Sequence, residues 1–435
     1  MFGTDVDQGQ GKAMGLLAPA VTVPKSLLKL ASIDIQIRIT DQSAIFARPE
    51  DDFRIDLLVA EGDRVAQGAP VLRSRRDPEL TLVAPVAGEV ASIALGPGRR
   101  LSHMLFFHMP DGGRHLHDIG ASRGVEVAAA TRALLLTGGL WPRLRSRPFG
   151  RIPSPVERPS ALFVMALDTR PDAPPPALAL EGREEGFARG LRALAGLADG
   201  PVVVCHDDTL PNSMSGAGDG IIWRKVSSVH PHGLAGVQIA ALHPARSDQP
   251  VWDMHAEDVA DIGEFLTSGL VPETRLVSVS GSALREHRLI RCQPGADLRA
   301  LCFDIVKPGP HRLLAGSYLD GVESRWLGAR SRQVTAVAGA APKIKQHWFS
   351  AALRSAGRPL PIIPTAALEQ AFGGLLPSAP LVRAIASNDA ETATRLGALS
   401  LIEEDLALAD YVTSANPPLA TMLRDILDRI AAEEA

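Results

Sequence analysis

Four arginines crowd one short stretch: Arg143, Arg145, Arg147 and Arg151 lie within nine residues, with Trp141 and Phe149 among them. In an extended segment, residues two apart point to the same side. The row would present guanidinium forks able to clamp an anion or a partner's carboxylates. The two aromatics could sandwich a planar ring. A solvated basic loop, anchored to the core by its aromatics, fits the same pattern, and the residues alone leave both readings open.

Other candidate chemistry is weaker. His230 and His232 bracket Pro231, but His206, His243 and His255 are scattered. The expectation is a turn with hydrogen-bonded imidazoles rather than a metal site. Gly216-Ala217-Gly218-Asp219-Gly220 follows a strand candidate as a nucleotide loop would. It lacks the G-x-G-x-x-G spacing and the Gly-Lys-Ser/Thr of a P-loop, and Ile221-Ile222-Trp223 does not read as a helix start, so a loop is expected. Glu61-Gly62-Asp63 through Leu72, followed by Ala84-Pro85-Val86-Ala87-Gly88, has the turn chemistry of biotinyl and lipoyl carrier modules. A carrier needs a lysine at the intervening hairpin tip, and residues 73–82 contain none. A structural module without a swinging arm is therefore expected. No G-x-S-x-G or H-E-x-x-H occurs. Cys205 and His206 are adjacent in sequence, which does not make a nucleophile–base pair.

The frame around these residues is that of a large folded protein. At roughly 100–200 residues per domain, the 435 residues predict two to four domains. The 46% hydrophobic and 22% charged composition excludes wholesale disorder. A net charge of −4 gives no electrostatic reason to propose a nucleic-acid partner. Three scattered cysteines are too few for a disulfide framework or an iron–sulfur cluster and point to a reducing compartment. No uninterrupted apolar run approaches the ~20 residues of a membrane span. Residues 14–23 are broken by Pro19 and do not read as a secretory signal.

Five regions follow from patterning. Residues 1–32 read as a flexible N-terminal extension. Residues 33–117 carry short strand candidates at 34–39, 55–59, 81–83, 89–93 and 104–109, as a small β module should. Residues 118–269 alternate buried strands (161–166, 202–205) with amphipathic helices (184–197, 257–266), a βαβ rhythm. Residues 237–242 read as a further strand. Residues 270–342 read as β again, with strands at 275–279, 301–306, 312–315 and 333–336. Residues 343–435 read as helical, ending in a helix with Leu419, Leu423, Ile426 and Ile430 on one face and Asn416 as its N-cap.

Several stretches together resemble the NqrA family, the A subunits of sodium-translocating NADH:quinone oxidoreductases. They are Gly138-Gly139-Leu140-Trp141 through Arg145-Ser146-Arg147-Pro148-Phe149, residues 163–169, His230-Pro231-His232-Gly233-Leu234-Ala235-Gly236, Val251-Trp252 with residues 258–263, and Glu403-Glu404-Asp405-Leu406. The resemblance implies a multidomain α/β and β fold: a barrel-sandwich hybrid (biotinyl/lipoyl-like) module, a Rossmann-like α/β domain, a β-grasp (SLBB-like) domain and a helical C-terminal domain. It implies a peripheral subunit on the cytoplasmic side of the inner membrane, without a transmembrane helix, docked on an NqrB-like membrane subunit. The complex would pass electrons from NADH to ubiquinone and export sodium. This chain would bind no cofactor and would not be catalytic alone, while NADH, FAD, FMN and iron–sulfur sites lie in partner subunits. Trp141, Arg145, Arg147 and Phe149 would form a quinone or partner surface, with His230 and His232 donating to quinone carbonyls.

The flavin-binding relatives, RnfC and the NADH-binding subunit of complex I, carry a Gly-Gly-x-Gly-Phe-Pro loop where this chain has bulky Leu140 and Trp141 and the charged Arg143. The RnfC cysteine clusters are missing too. An RnfC-like FMN/NADH-binding electron-transfer subunit is the alternative. A second is an NqrA paralogue of another membrane redox complex, because residues 413–418 read Thr-Ser-Ala-Asn-Pro-Pro where the family carries Cys-Pro-Gly-Lys.

Overall fold

The computed structural model describes residues 35–47, 53–120, 126–211, 218, 220–339 and 365–434. The expected extension 1–32, most of the 216–220 glycine loop and residues 343–364 lie outside the described residues.

Short alternating segments of the first region pair into two small sheets. One runs in the order Gln42–Phe46, Arg100–His108, Gly88–Gly96, Arg64–Val65, and the other Ile55–Leu57, Pro70–Ser74, Thr81–Val83. Val71, Leu72, Val90, Met104 and Phe106 fill the space between them without exposure. The alternating segment at 34–39 does not join this module. Gln36–Ile37 instead pairs in parallel with Arg288–Cys292, some 250 residues on. Arg38 bonds Asp304 at 2.9 Å, and Thr40 exchanges hydrogen bonds with the Gln293 side chain. Period two fixes which faces a strand shows but not its partner.

The α/β domain has four parallel strands in the order Ile221–Lys225, Val202–His206, Ala161–Met165, Val251–His255, with Arg145–Arg147 antiparallel at the edge. Taken along the chain, that order is third, second, first, fourth. It is the doubly wound order, whose reversal lies between the first and fourth strands. Two helices, Glu184–Ala195 and Ala256–Ser268, cross in close contact. A Cβ on Gly190 would sit 1.9 Å from the Val259 carbonyl oxygen, so only glycine permits the crossing. The second helix starts where His255 Nδ1 accepts from the Glu257 N–H and stops at left-handed Gly269. Residues 237–242, expected as a strand, form part of the helix Ala235–Leu242. Its first turn is capped from a distance, with Asp405 Oδ1 accepting from the Gly236 N–H. A short apolar run carries no period that distinguishes the two.

The next region is a mixed six-stranded sheet, in the order Gln36–Ile37, Arg288–Cys292, Arg275–Ser280, Gln333–Ala338, His311–Ala315, Val322–Glu323. The strand expected at 301–306 is replaced by a helix, Leu298–Cys302, because Asp297 accepts from the Arg299 N–H and caps it. Among the described residues, five helices follow: Ala366–Ala371, Ser378–Ala386, Ala390–Arg395, Glu403–Thr413 and Leu419–Glu433. The last is not capped by Asn416. Asp410, one helix back, accepts from the N–H groups of Leu419 and Ala420 at 2.5 and 3.1 Å. Among the described residues, no helix is long and apolar enough to cross a membrane.

Candidate functional site

The arginine-rich segment is a seam inside the protein. Arg143 is 9% exposed and held by Asp258 at 2.9 Å and by Asp261. Arg145 reaches Asp253 at 2.7 Å and Glu404 at 2.6 Å. Arg147 has no exposure and binds Asp253 at 2.9 Å, Asp405 at 2.5 Å and the Ser400 carbonyl at 2.7 Å. The antiparallel register Arg147↔Val251 and Arg145↔Asp253 sets both guanidiniums over the strand Val251–His255. From there they meet the first turn of the helix Glu403–Thr413. Burial pulls the pKa of both arginines down, but the facing carboxylates more than offset it and raise both. Burial raises Asp405, whereas at Glu404 burial is outweighed by Arg145, Arg170 and Arg147 together, which lower it.

This geometry corrects the expectation of an exposed clamp and also the alternative of a solvated loop. Trp141 is fully buried: its Nε1–H donates to the Pro153 carbonyl, and its ring meets Trp252 edge-on at 5.3 Å. It sandwiches no planar ligand with Phe149. Phe149 packs against the C-terminal helices, and its carbonyl accepts from Arg424. Trp141 and Arg147 are thus framework rather than surface, and Phe149 is half-buried. Gly139, with φ +69°, backs onto Val83, and a Cβ there would lie 2.8 Å from that side chain.

The two histidines lie elsewhere. His230 Nδ1 is 3.2 Å from Thr169 Oγ1, and its buried Nε2 has no partner among the described residues. Burial lowers its pKa to about 4 despite nearby Asp168. His232 packs against Gly373 and is also lowered by burial. Among the described residues, no three His, Cys, Asp or Glu side chains converge to hold a metal.

A cavity of about 640 Å³ opens where the barrel module, the α/β domain, the six-stranded sheet and the C-terminal helices meet. Arg145 and Arg170 line it, as do apolar Ile45, Phe46, Phe53 and Ile152, whereas His230 and His232 do not. Arg170 follows the strand Ala161–Met165 at its carboxyl end, and Arg145 sits over the strand Val251–His255. The cavity therefore lies beside the strand-order reversal, where doubly wound sheets bind ligands. Its charges balance: Arg145, Arg170, Arg330 and Arg332 against Asp320, Glu323, Glu403 and Glu404. Arg170 is bound to Asp168 at 2.5 Å and Asp320 at 3.0 Å. Arg145 spends Nε and Nη2 on carboxylates, while its Nη1 makes no hydrogen bond among the described residues. Sequence reasoning missed Arg170, Asp320 and the apolar wall. Asp168-Thr169-Arg170, directly after a buried parallel strand, was the usable signal.

Three family profiles match in chain order. They are the NqrA N-terminal barrel-sandwich hybrid domain over residues 33–106, the NqrA second alpha/beta domain over 127–271 and the NQRA C-terminal domain (SLBB) over 276–325. One of the A subunits of Na(+)-translocating NADH-quinone reductases, from Pseudomonas aeruginosa, is 31% identical over 87% of this chain and 90% of its own length. The chain belongs to the NqrA family. Proteins of the same name from Saccharophagus degradans (30% identical, 86% of this chain and 90% of that protein) and Actinobacillus pleuropneumoniae serotype 5b (29%, 95% and 100%) resemble it similarly. A chain of an NAD+-reducing [NiFe]-hydrogenase overlaps 52% of this chain and 51% of its own with a TM-score of 0.35 and 13% identity. The NqrA assignment accounts for the barrel-sandwich module without a carrier lysine and for the order of the domains behind it.

Proposed function

We propose that this NqrA-family chain serves as the NqrA component of a sodium-translocating NADH:quinone reductase. In this reading it is a peripheral subunit on the cytoplasmic face, docked on an NqrB-like membrane subunit, and electron-carrying cofactors reside in its partners. Its own contribution is to bind or admit quinone in the interdomain cavity and to hold the assembly together. The relatives' shared name and the match over 90–100% of their length support the complex.

The observation that carries the quinone reading is the cavity wall. Four cations face four carboxylates, and apolar side chains fill the gaps, so the space favours a neutral, flat, amphipathic ligand over a phosphate-bearing one. Arg145 Nη1 remains able to donate to a quinone oxygen, and that bond strengthens as negative charge develops on reduction. Of the six residues named from the sequence, Arg145 alone lines the cavity, and it is the donor proposed here. A flavin or NADH site of the RnfC kind is less well supported, because the 138–150 segment is packed against Val83 and Trp252.

The test is calorimetric titration of the full chain with 2,3-dimethoxy-5-methyl-1,4-benzoquinone. Arg145→Lys keeps the charge but loses the fork, and a charged hydrogen bond of about 1.5–3 kcal/mol predicts at least tenfold weaker binding. Unaltered affinity in that variant, with the fold intact by circular dichroism, would remove Arg145 from the site.

A further inference from the structure

We infer that a second, smaller space beside the cavity takes the first hydrocarbon unit of a substituent on the ring. This rests on the quinone reading and says which part of the ligand goes where. The smaller space measures about 110 Å³ and shares Ile45, Phe46, Leu82, Pro142 and Ala329 with the wall of the larger cavity. Its remaining surface is largely carbon, from Ala44, Val83, Val271 and Leu327 among others.

Three polar side chains reach it, and each is held by bonds to groups outside the space. Gln67 Nε2 donates to the Val271 and Pro272 carbonyls. Arg143 is held by Asp258 and Asp261, and Arg275 donates to the Ala329 carbonyl. Only Arg275 Nε is a buried polar side-chain atom of this wall without an acceptor. Apolar surface outweighs polar surface on this wall, so the space favours carbon over water. An apolar cavity of about 150 Å³ holds benzene. By that measure, 110 Å³ suits a branched group of about five carbons, one prenyl unit. The charge-balanced cavity takes the oxygen-bearing ring, and its apolar neighbour takes what the ring carries.

The probes are the bare ring, 2,3-dimethoxy-5-methyl-1,4-benzoquinone, and the same ring bearing one prenyl group, each titrated into the full chain by calorimetry. The expected ratio of dissociation constants is about tenfold in favour of the prenylated ring. Five buried carbons could give more, but ordering the chain opposes it. Val83→Phe and Ala44→Leu fill the small space from two sides without altering a residue of the larger cavity wall, and each should bring the ratio close to one. Both probes binding with a ratio near one in the unaltered chain overturns the prenyl subsite and leaves the quinone reading standing. A tenfold ratio that survives in folded Val83→Phe or Ala44→Leu protein also overturns it. Neither probe binding overturns both readings.

Discussion

Replacing Arg147 by methionine tests whether buried charge pairing docks the C-terminal helices. Arg147 has no exposure, and neither has Asp405, its partner at 2.5 Å. Methionine fills similar volume but leaves three carboxylates facing it, Asp253, Glu404 and Asp405. Asp253 and Glu404 keep Arg145 as a partner. Among the described residues, Asp405 keeps only the N–H groups of Gly236 and Ile402. Breaking a buried pair from one side costs about 3–5 kcal/mol, and the retained hydrogen bonds put this case toward the lower end. Burial already raises the Asp405 pKa, and losing Arg147 raises it further. A carboxyl whose folded pKa exceeds its unfolded value costs stability as pH rises, because the unfolded chain releases the proton first. The penalty is therefore larger at pH 8 than at pH 5. Hydrogen exchange in the helix Glu403–Thr413 reads it directly, and about 3 kcal/mol corresponds to a loss of protection of roughly a hundredfold. Adding Asp405→Leu to Arg147→Met should recover part of the loss, since an apolar pair can replace a buried ionic one. A drop of less than tenfold in the single variant, or a penalty that does not change with pH, would refute the reasoning.

Two further outcomes follow from the packing and the histidines. Gly190→Ala drives a methyl group to within 1.9 Å of the Val259 carbonyl oxygen, so the two helices must separate; a loss of about 3 kcal/mol or more, read as a lower melting temperature and reduced soluble yield, is expected. His230, held neutral with its pKa near 4 against 6.5 unfolded, makes stability rise with pH through that window, because the unfolded chain binds the extra proton. His230→Asn should flatten the dependence of melting temperature on pH between about 4 and 6.5, and an unchanged slope would show that His230 is not its source.

The two classes of inference differ in what physics they need. The buried strands Ala161–Met165 and Val202–His206 and the helix Glu184–Ala195 were legible because continuous apolar runs and a 3.6-residue stripe are local properties. The arginine segment was legible as unusual, but its sign of charge could not name its partners. Asp258, Asp261, Glu404 and Asp405 lie more than 100 residues away, on helices whose docking brings them to it. The same gap explains the helix caps: Asp405 over Gly236 and Asp410 over Leu419 are side chains supplied from other segments.

By itself, the chain of residues determined the family, the β module without a carrier lysine and the alternation of strands and helices, because these depend on residue type and near spacing. Only the tertiary structure decided that Trp141 and Arg147 are interior framework, that the first short strand belongs to the later sheet, and that Arg145 and Arg170 share a cavity wall. Burial, charge pairing and enclosed volume are properties of surfaces brought together across the whole chain, and spacing along one segment does not encode which surfaces meet.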